Sequence, residues 1–330
     1  MKKRNQKKSN YLTYIVLFLC YGLTMLGLQL GMISRHMQSL LIPICVNMIL
    51  AVSLNLIIGI LGELSLGHAG FMSVGAYAGC LFSIYTAELL PTFLRFPLAL
   101  LVGGLAASVF GLIVGIPVLR LKGDYLAIVT LAFGEILRSV IITLDFTGGA
   151  AGLKGMPQDS TFTAAFLCLV LTYFVITNLA KSQHGRAIRS LRENTIAAQS
   201  CGVNVSHYKL MTFVISAFFA GLAGVLAGHN LSILTASNFG YNRSIEILVM
   251  VVLGGIGNLK GSMFAAFLLA VLPESLKFLS DYRMLIYSVL LIAMTILGAS
   301  DKWKVFKENL VLKLVNRKYN TKEAAADGKA

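Results

Sequence analysis

Ionisable side chains inside long apolar runs are costly, so the few that this sequence places there are the first candidates for chemistry. Glu63, Ser65 and His68 fall together in LGELSLGHAGFMSVGAY, between two apolar stretches. A carboxylate, a hydroxyl and an imidazole so close in sequence could pass a proton or handle a polar solute. Glu135 and Arg138 lie three apart, the spacing at which two helical side chains meet and neutralise each other. Glu246 opens a short apolar run, and Asn47, Asn55, His229 and Asn230 add neutral polarity. Asn55, Ser65, His68 and Glu246 are therefore the candidates for a solute path or its gate. The plainer readings are a structural pair for Glu135–Arg138 and a satisfied core or interfacial histidine for His68. A proton relay wants several unpartnered carboxylates at membrane depth, and only Glu246 and Glu63 qualify here, which weakens proton coupling.

Other chemistries fit poorly. The stretch Gly254-Gly255-Ile256-Gly257-Asn258-Leu259-Lys260-Gly261-Ser262 looks like a phosphate-cradling loop, but Lys260 precedes its glycine and no strand leads in. The chain thus carries no nucleotide site of its own. No HExxH or GxSxG occurs, and the cysteines at 20, 45, 80, 168 and 201 show neither a CxxC nor metal-ligand spacing. No cofactor or metal is expected in this chain.

The elements that must hold these residues follow from composition. Of 330 residues, 57% are apolar and only 13% charged, with a mean hydropathy of +0.78. That is too little charge to cover a water-soluble globule, so the surface faces lipid. A helix needs about 20 apolar residues to cross a bilayer core. Runs near 11–31, 40–61, 66–87, 97–119, 125–144, 162–179, 208–231, 243–257, 262–279 and 284–299 qualify or nearly do. The expected fold is an all-α polytopic transmembrane bundle of about ten spans, or eight or nine with re-entrant pieces around 243–262.

The net charge of +14 is clustered at the N-terminus, in 181–207 and after Ser300. With ten spans all three clusters, and the Arg120/Lys122 turn, fall on one face, as the positive-inside rule requires of cytoplasmic segments. Nucleic acid is a poor alternative, because no aromatic residues interleave the basic ones. The expected layout is a basic cytoplasmic N-terminus over 1–10 and a membrane domain over 11–300 with a cytoplasmic loop at 181–207. A basic, partly disordered cytoplasmic tail over 301–330 follows. The first run reads as a retained signal-anchor, because it is too long for a usual signal peptide and lacks a small-residue cleavage site.

Small residues recur every four positions at Ser216, Ala220, Gly224 and Gly228, at Gly103, Ala107, Gly111 and Gly115, and at Gly75 and Gly79. This spacing lets helix backbones approach closely in lipid. Tight packing within one bundle is the plain reading; a rocking interface is the sharper one.

The 181–207 loop, KSQHGRAIRSLRENTIAAQSCGVNVSH, contains good helix formers from Gly185 to about Ser200, with Ile188, Leu191 and Ile196 on one face and Gly202 as a stop. Such a helix lies on lipid or docks into a cytosolic partner. Its Ile196-Ala197-Ala198, three residues and then Gly202, resembles the coupling loop of ABC-importer permeases, although the family's leading glutamate is absent. With Arg192-Glu193 preceding it, the segment resembles the branched-chain amino-acid permease branch. The likeness extends through LGELSLGHAGFMSVGAY, LKGDYLAIVTLAFGEILR, TGGAAGLKGMP and SIEILVMVVLGGIGNLKGSMFAA, in that order. It implies a bacterial cell-membrane importer of leucine, isoleucine or valine. Such an importer has cytosolic ABC ATPases that use the ATP, a second and usually different permease chain, and an extracytoplasmic binding protein. Arg192, Glu193, Ile196, Ala197, Ala198 and Gly202 would couple to the ATPase. The alternatives are a urea or short-amide importer of the same kind, or an ion-coupled secondary amino-acid transporter.

Overall fold

The computed structural model describes residues 2–31, 34–118, 121, 123–275, 289 and 292, and these are all-α apart from turns and one isolated bridge between Leu153 and Leu234. The helices are α1 Lys2–Gln29, α2 Arg35–Asn55, α3 His68–Tyr85, α4 Thr92–Val118, α5 Asp124–Thr143 and α6 Phe162–Lys181, then α7 Gln183–Glu193, α8 Thr195–Ser200, α9 Val205–Gly228, α10 Tyr241–Gly254 and α11 Leu259–Ser275. A π-helix, Leu56–Leu61, extends α2. The chain forms two compact units divided after Val271. The second is described only at the end of α11, Val289 and Ile292, so the expected run 284–299, the Arg120/Lys122 turn and the 301–330 tail lie outside the described residues.

Five stretches are long and apolar enough to cross a membrane: Met37–Leu61, Thr92–Pro117, Asp124–Thr143, Phe162–Lys181 and Val205–Gly228. Thr13–Gln29 and Leu259–Pro273 are apolar but shorter. The chain is a multi-pass membrane protein. The expected runs 66–87 and 243–257 are helical too, but α3 opens on a histidine and α10 has only 14 residues. The α1 helix begins at Lys2, so the basic residues of 1–10 lie on its first turns.

Met37–Leu61 is the central helix, its apolar window 89% buried against 33% for that of α5. Of its neighbours α9 carries α3 and α4, and these three helices pack closely where glycines meet. A Cβ on Gly75 would fall on the Gly221 backbone, one on Gly221 would lie 2.7 Å from the Gly103 carbonyl, and one on Gly103 would lie 2.6 Å from that of Gly75. Gly224 sits against the Met72 carbonyl, Gly79 against Val225 and Gly228 against Cys80. Lipid offers helices no hydrophobic reason to associate, so this backbone proximity and its dispersion contacts are what hold the trio. The α1 helix joins the outside of the bundle through aromatic stacking of Tyr21 on Phe162 and Phe166.

Candidate functional site

The connection between α6 and α9 is built from successive caps. The Ser182 hydroxyl accepts from the Gly185 N–H at 3.2 Å and starts α7, which buries Ile188 and Leu191. At Asn194 the backbone turns extended, and its side chain accepts from the Ala197 N–H at 3.0 Å to start α8. This corrects the expectation of one continuous helix over 185–200. An N-cap residue must leave helical geometry to cap, so Asn194 ends one helix by beginning the next. Ile196, beyond the break, does not join the buried Ile188–Leu191 face and is 75% exposed. Ala197 and Glu193 are exposed and Ala198 is buried. Gly202, at φ +83°, closes α8 in a Schellman turn: its N–H reaches the Gln199 carbonyl and that of Val203 reaches Ala198.

Two cations tie this connection to the membrane core. Arg192 is exposed on α7 but reaches back to the bundle with its side chain. Its guanidinium donates to the Gly59 carbonyl in the π-helix, and its stem covers Gly62, where a Cβ would come within 2.6 Å. The backbone of Gly59 rests directly on that of Gly257, in the turn after α10. Asn55 joins the same point, donating to the Ser262 hydroxyl at 2.6 Å and accepting from the Gly257 N–H at 2.9 Å. The second cation, Lys209 at the start of α9, is ion-paired with Glu63, and both side chains are nearly buried. Burial pushes the Glu63 carboxyl above the ordinary carboxylate value, and the hydrogen bond and charge of Lys209 pull it partly back. A cavity of about 440 Å³ beside the pair is lined by Glu63, Arg192, Glu193, Asn194 and Lys209, among others.

Deeper in the bundle, Ser53 spends its hydroxyl proton on the Leu50 carbonyl, so it accepts from His68 Nε2–H at 2.8 Å. His68 Nδ1 and the Ser65 hydroxyl are buried without a hydrogen-bond partner among the described residues. Backbone donors at the entry to α3 are met from other helices, Leu66 N–H just before it by Thr130 and Ala69 N–H in its first turn by Ser244. Unlike His68, His229 is fully satisfied, by Val225 and Ser83.

Glu135 and Arg138 pair at 2.7 Å, and the other Glu135 oxygen accepts from the Tyr241 N–H at 2.8 Å, capping α10. Glu135 lies eleven residues, about 17 Å, along α5, so α10 starts close to the middle of the bundle. Arg243 on α10 pairs with Glu246 at 2.9 Å and donates to Asn47. Neither Glu246 nor Glu63 is therefore the unpartnered carboxylate expected from sequence. The cations that neutralise them, Arg243 and Lys209, were the residues missed. Their signal was there: a lysine or arginine opening an apolar run needs a carboxylate elsewhere in the chain.

Residues 36–296 match the family model described as "Branched-chain amino acid transport system / permease component". The chain belongs to this family. Arg192, Gly59, Asn55, Gly257 and the paired charges all lie within the matched region of this branched-chain amino acid permease family member. It is 34% identical over 258 residues to the high-affinity branched-chain amino acid transport system permease protein LivM of Escherichia coli, covering 68% of this chain and 59% of LivM. The LivM of Salmonella typhimurium gives the same figures. The ribose import permease protein RbsC of Haemophilus influenzae is 28% identical over 246 residues, covering 68% of this chain and 72% of that protein. The chain thus spans somewhat under two thirds of the LivM proteins it matches. No solved structure matches it.

Proposed function

We propose that this family member is the permease subunit of an ATP-driven importer that moves branched-chain amino acids into a bacterial cell. ATP is hydrolysed on separate cytosolic ABC subunits, a second permease chain completes the path, and an extracytoplasmic binding protein delivers solute. Both termini and the 181–207 connection lie in the cytoplasm. The observation that carries this reading is the α7–α8 connection. It presents Ile196 and Ala197 to the outside while Arg192, one turn earlier, grips the Gly59 carbonyl. A push from an ATPase on α8 is thereby delivered to the end of the central helix and, through Gly59 and Asn55, to the turn after α10. Packed helices shift between discrete arrangements rather than deforming continuously, so such a push biases the bundle between outward- and inward-open states. In this reading Asn55, Ser65, His68 and Glu246 line or gate the path.

The chain does no covalent chemistry in this scheme. The salt bridges of Glu63, Glu135 and Glu246 speak against ion coupling, because a coupling carboxylate has to exchange its proton or ion with the solute path. The test is reconstitution of the complete transporter. Leucine uptake should require ATP and the binding protein, and Gly202→Trp should abolish uptake while the complex still assembles. Uptake by this chain alone on a sodium or proton gradient would end the proposal. So would competition by ribose, urea or amides matching that by valine and isoleucine, as far as the substrate is concerned.

A further inference from the structure

Between α5, the start of α10 and the 237–240 turn lies a cavity of about 630 Å³ whose lining includes Glu135, Arg138, Arg243 and Glu246. Glu135 and Arg138 sit deep in a helix long enough to cross the membrane, and their side chains remain 28% and 32% exposed. Charges at that depth do not face hydrocarbon, where each costs several kcal/mol, so the cavity holds water or a polar solute. Among the described residues Arg138 spends only Nε on Glu135, which keeps its two-pronged Nη edge for another acceptor. Glu246, 53% exposed, gives Oε2 to Arg243 and keeps Oε1. Met72, Leu231 and Phe239 supply an apolar wall.

From this arrangement we infer that the cavity is a subsite for a zwitterionic α-amino acid with an apolar side chain. Its carboxylate lies on the Nη edge of Arg138, its ammonium on Glu246 Oε1, and its side chain on the apolar wall. The inference rests on the importer reading and goes beyond it, because it gives the membrane subunit its own recognition of the solute. Both salt bridges stay formed when the ligand binds. A zwitterion brings no net charge to membrane depth, whereas a lone anion or cation leaves one charge uncompensated. A planar guanidinium edge also matches a carboxylate in a way that it does not match a sugar hydroxyl.

The test uses the assembled transporter without its binding protein, carrying Ser237→Cys at an exposed position of the cavity lining, with maleimide labelling of residue 237 read by peptide mass spectrometry. Leucine should slow labelling. Isoamylamine, which lacks the carboxylate, 4-methylpentanoate, which lacks the ammonium, and ribose should not. Arg138→Gln and Glu246→Gln should each raise the half-protecting leucine concentration by more than about tenfold, as expected for losing one hydrogen bond to a charged group. Arg138→Lys should recover part of that loss. If Arg138→Gln does not assemble, Glu246→Gln at the more exposed carboxylate carries the test. Protection by the single-headed analogues or ribose equal to that by leucine, unchanged half-points in the variants, or no protection at all overturns the subsite. ATP-driven leucine uptake is then measured on the same preparation with the binding protein added back. Uptake without protection sinks only the subsite, and absence of uptake sinks the importer reading itself.

Discussion

The strongest claims at the residue scale concern buried charge and buried hydroxyls. Glu63 and Lys209 are each other's partners in a nearly dry setting. Removing one leaves the other uncompensated, which costs about 3–5 kcal/mol. Lys209→Met should therefore destabilise the purified complex by that order in thermal or denaturant unfolding, and Lys209→Arg should recover most of it. The reversal Glu63→Lys with Lys209→Glu should be less damaging than either single change, and a swap as harmful as their sum would refute the pairing. Ser65 behaves oppositely. Its hydroxyl is buried without a partner, so Ser65→Ala gives up no hydrogen bond and should leave stability unchanged or raise it. Loss of leucine uptake in that stable variant would assign the hydroxyl to a solute or water moving past it; full uptake would remove Ser65 from the path. Sequence could single out Ser65 and Glu63 because they are polar among apolar neighbours. It could not distinguish a paired carboxylate from an orphaned hydroxyl, since their partners lie 146 positions away for Glu63 and nowhere among the described residues for Ser65.

At the scale of elements, the decisive piece is the break between α7 and α8. The sequence carried a sign of it. Ile188 to Leu191 is a helical step, but Leu191 to Ile196 is five residues, about 140° beyond a full turn, so the three cannot share one face of an unbroken helix. Asn194 then both ends α7 and caps α8. Asn194→Ala removes the cap at a cost of about 1 kcal/mol and favours continuation of α7 into α8. That change would re-aim Ile196 and Ala197 while leaving the Arg192 grip on Gly59 in place. The expected phenotype is a folded transporter that hydrolyses ATP with little leucine moved per ATP. Asn194→Ser, which also caps, should retain coupling. Equal transport per ATP in wild type and Asn194→Ala would show that the break has no part in transmission. The helices themselves were largely legible, because their apolar runs are long. The π-helix Leu56–Leu61 was not, since nothing in its composition separates it from the α2 helix it extends. It matters because the last carbonyls of a helix have no partner within it, and Arg192 takes the one at Gly59.

Across the whole molecule, the same small residues that mark helix faces in the sequence also fix where three helices cross. The every-four series on α9 meets α3 at Gly224 and Gly228. Gly221, which lies outside that series, is the residue that brings α4 in, and only the three-dimensional arrangement reveals that it closes a triangle with Gly75 and Gly103. A triangle of backbones has a distinctive energetic signature. A single methyl at any corner forces the others apart, so Gly75→Ala, Gly103→Ala and Gly221→Ala should each destabilise the bundle by about 1–3 kcal/mol. Once one methyl has opened the crossing, however, the second meets less resistance. The double variant Gly75→Ala/Gly221→Ala should therefore cost clearly less than the sum of its singles, by about 0.5 kcal/mol or more. Gly22, whose added Cβ would touch nothing within 4 Å, supplies the control, and Gly22→Ala should be near neutral and additive with either corner. Strict additivity at the corners would mean that the three helices tolerate each methyl independently. In that case α3, α4 and α9 do not move as one body when the α7–α8 connection is pushed, and the route from ATPase to membrane path has to run through α2 and the Gly257 turn alone.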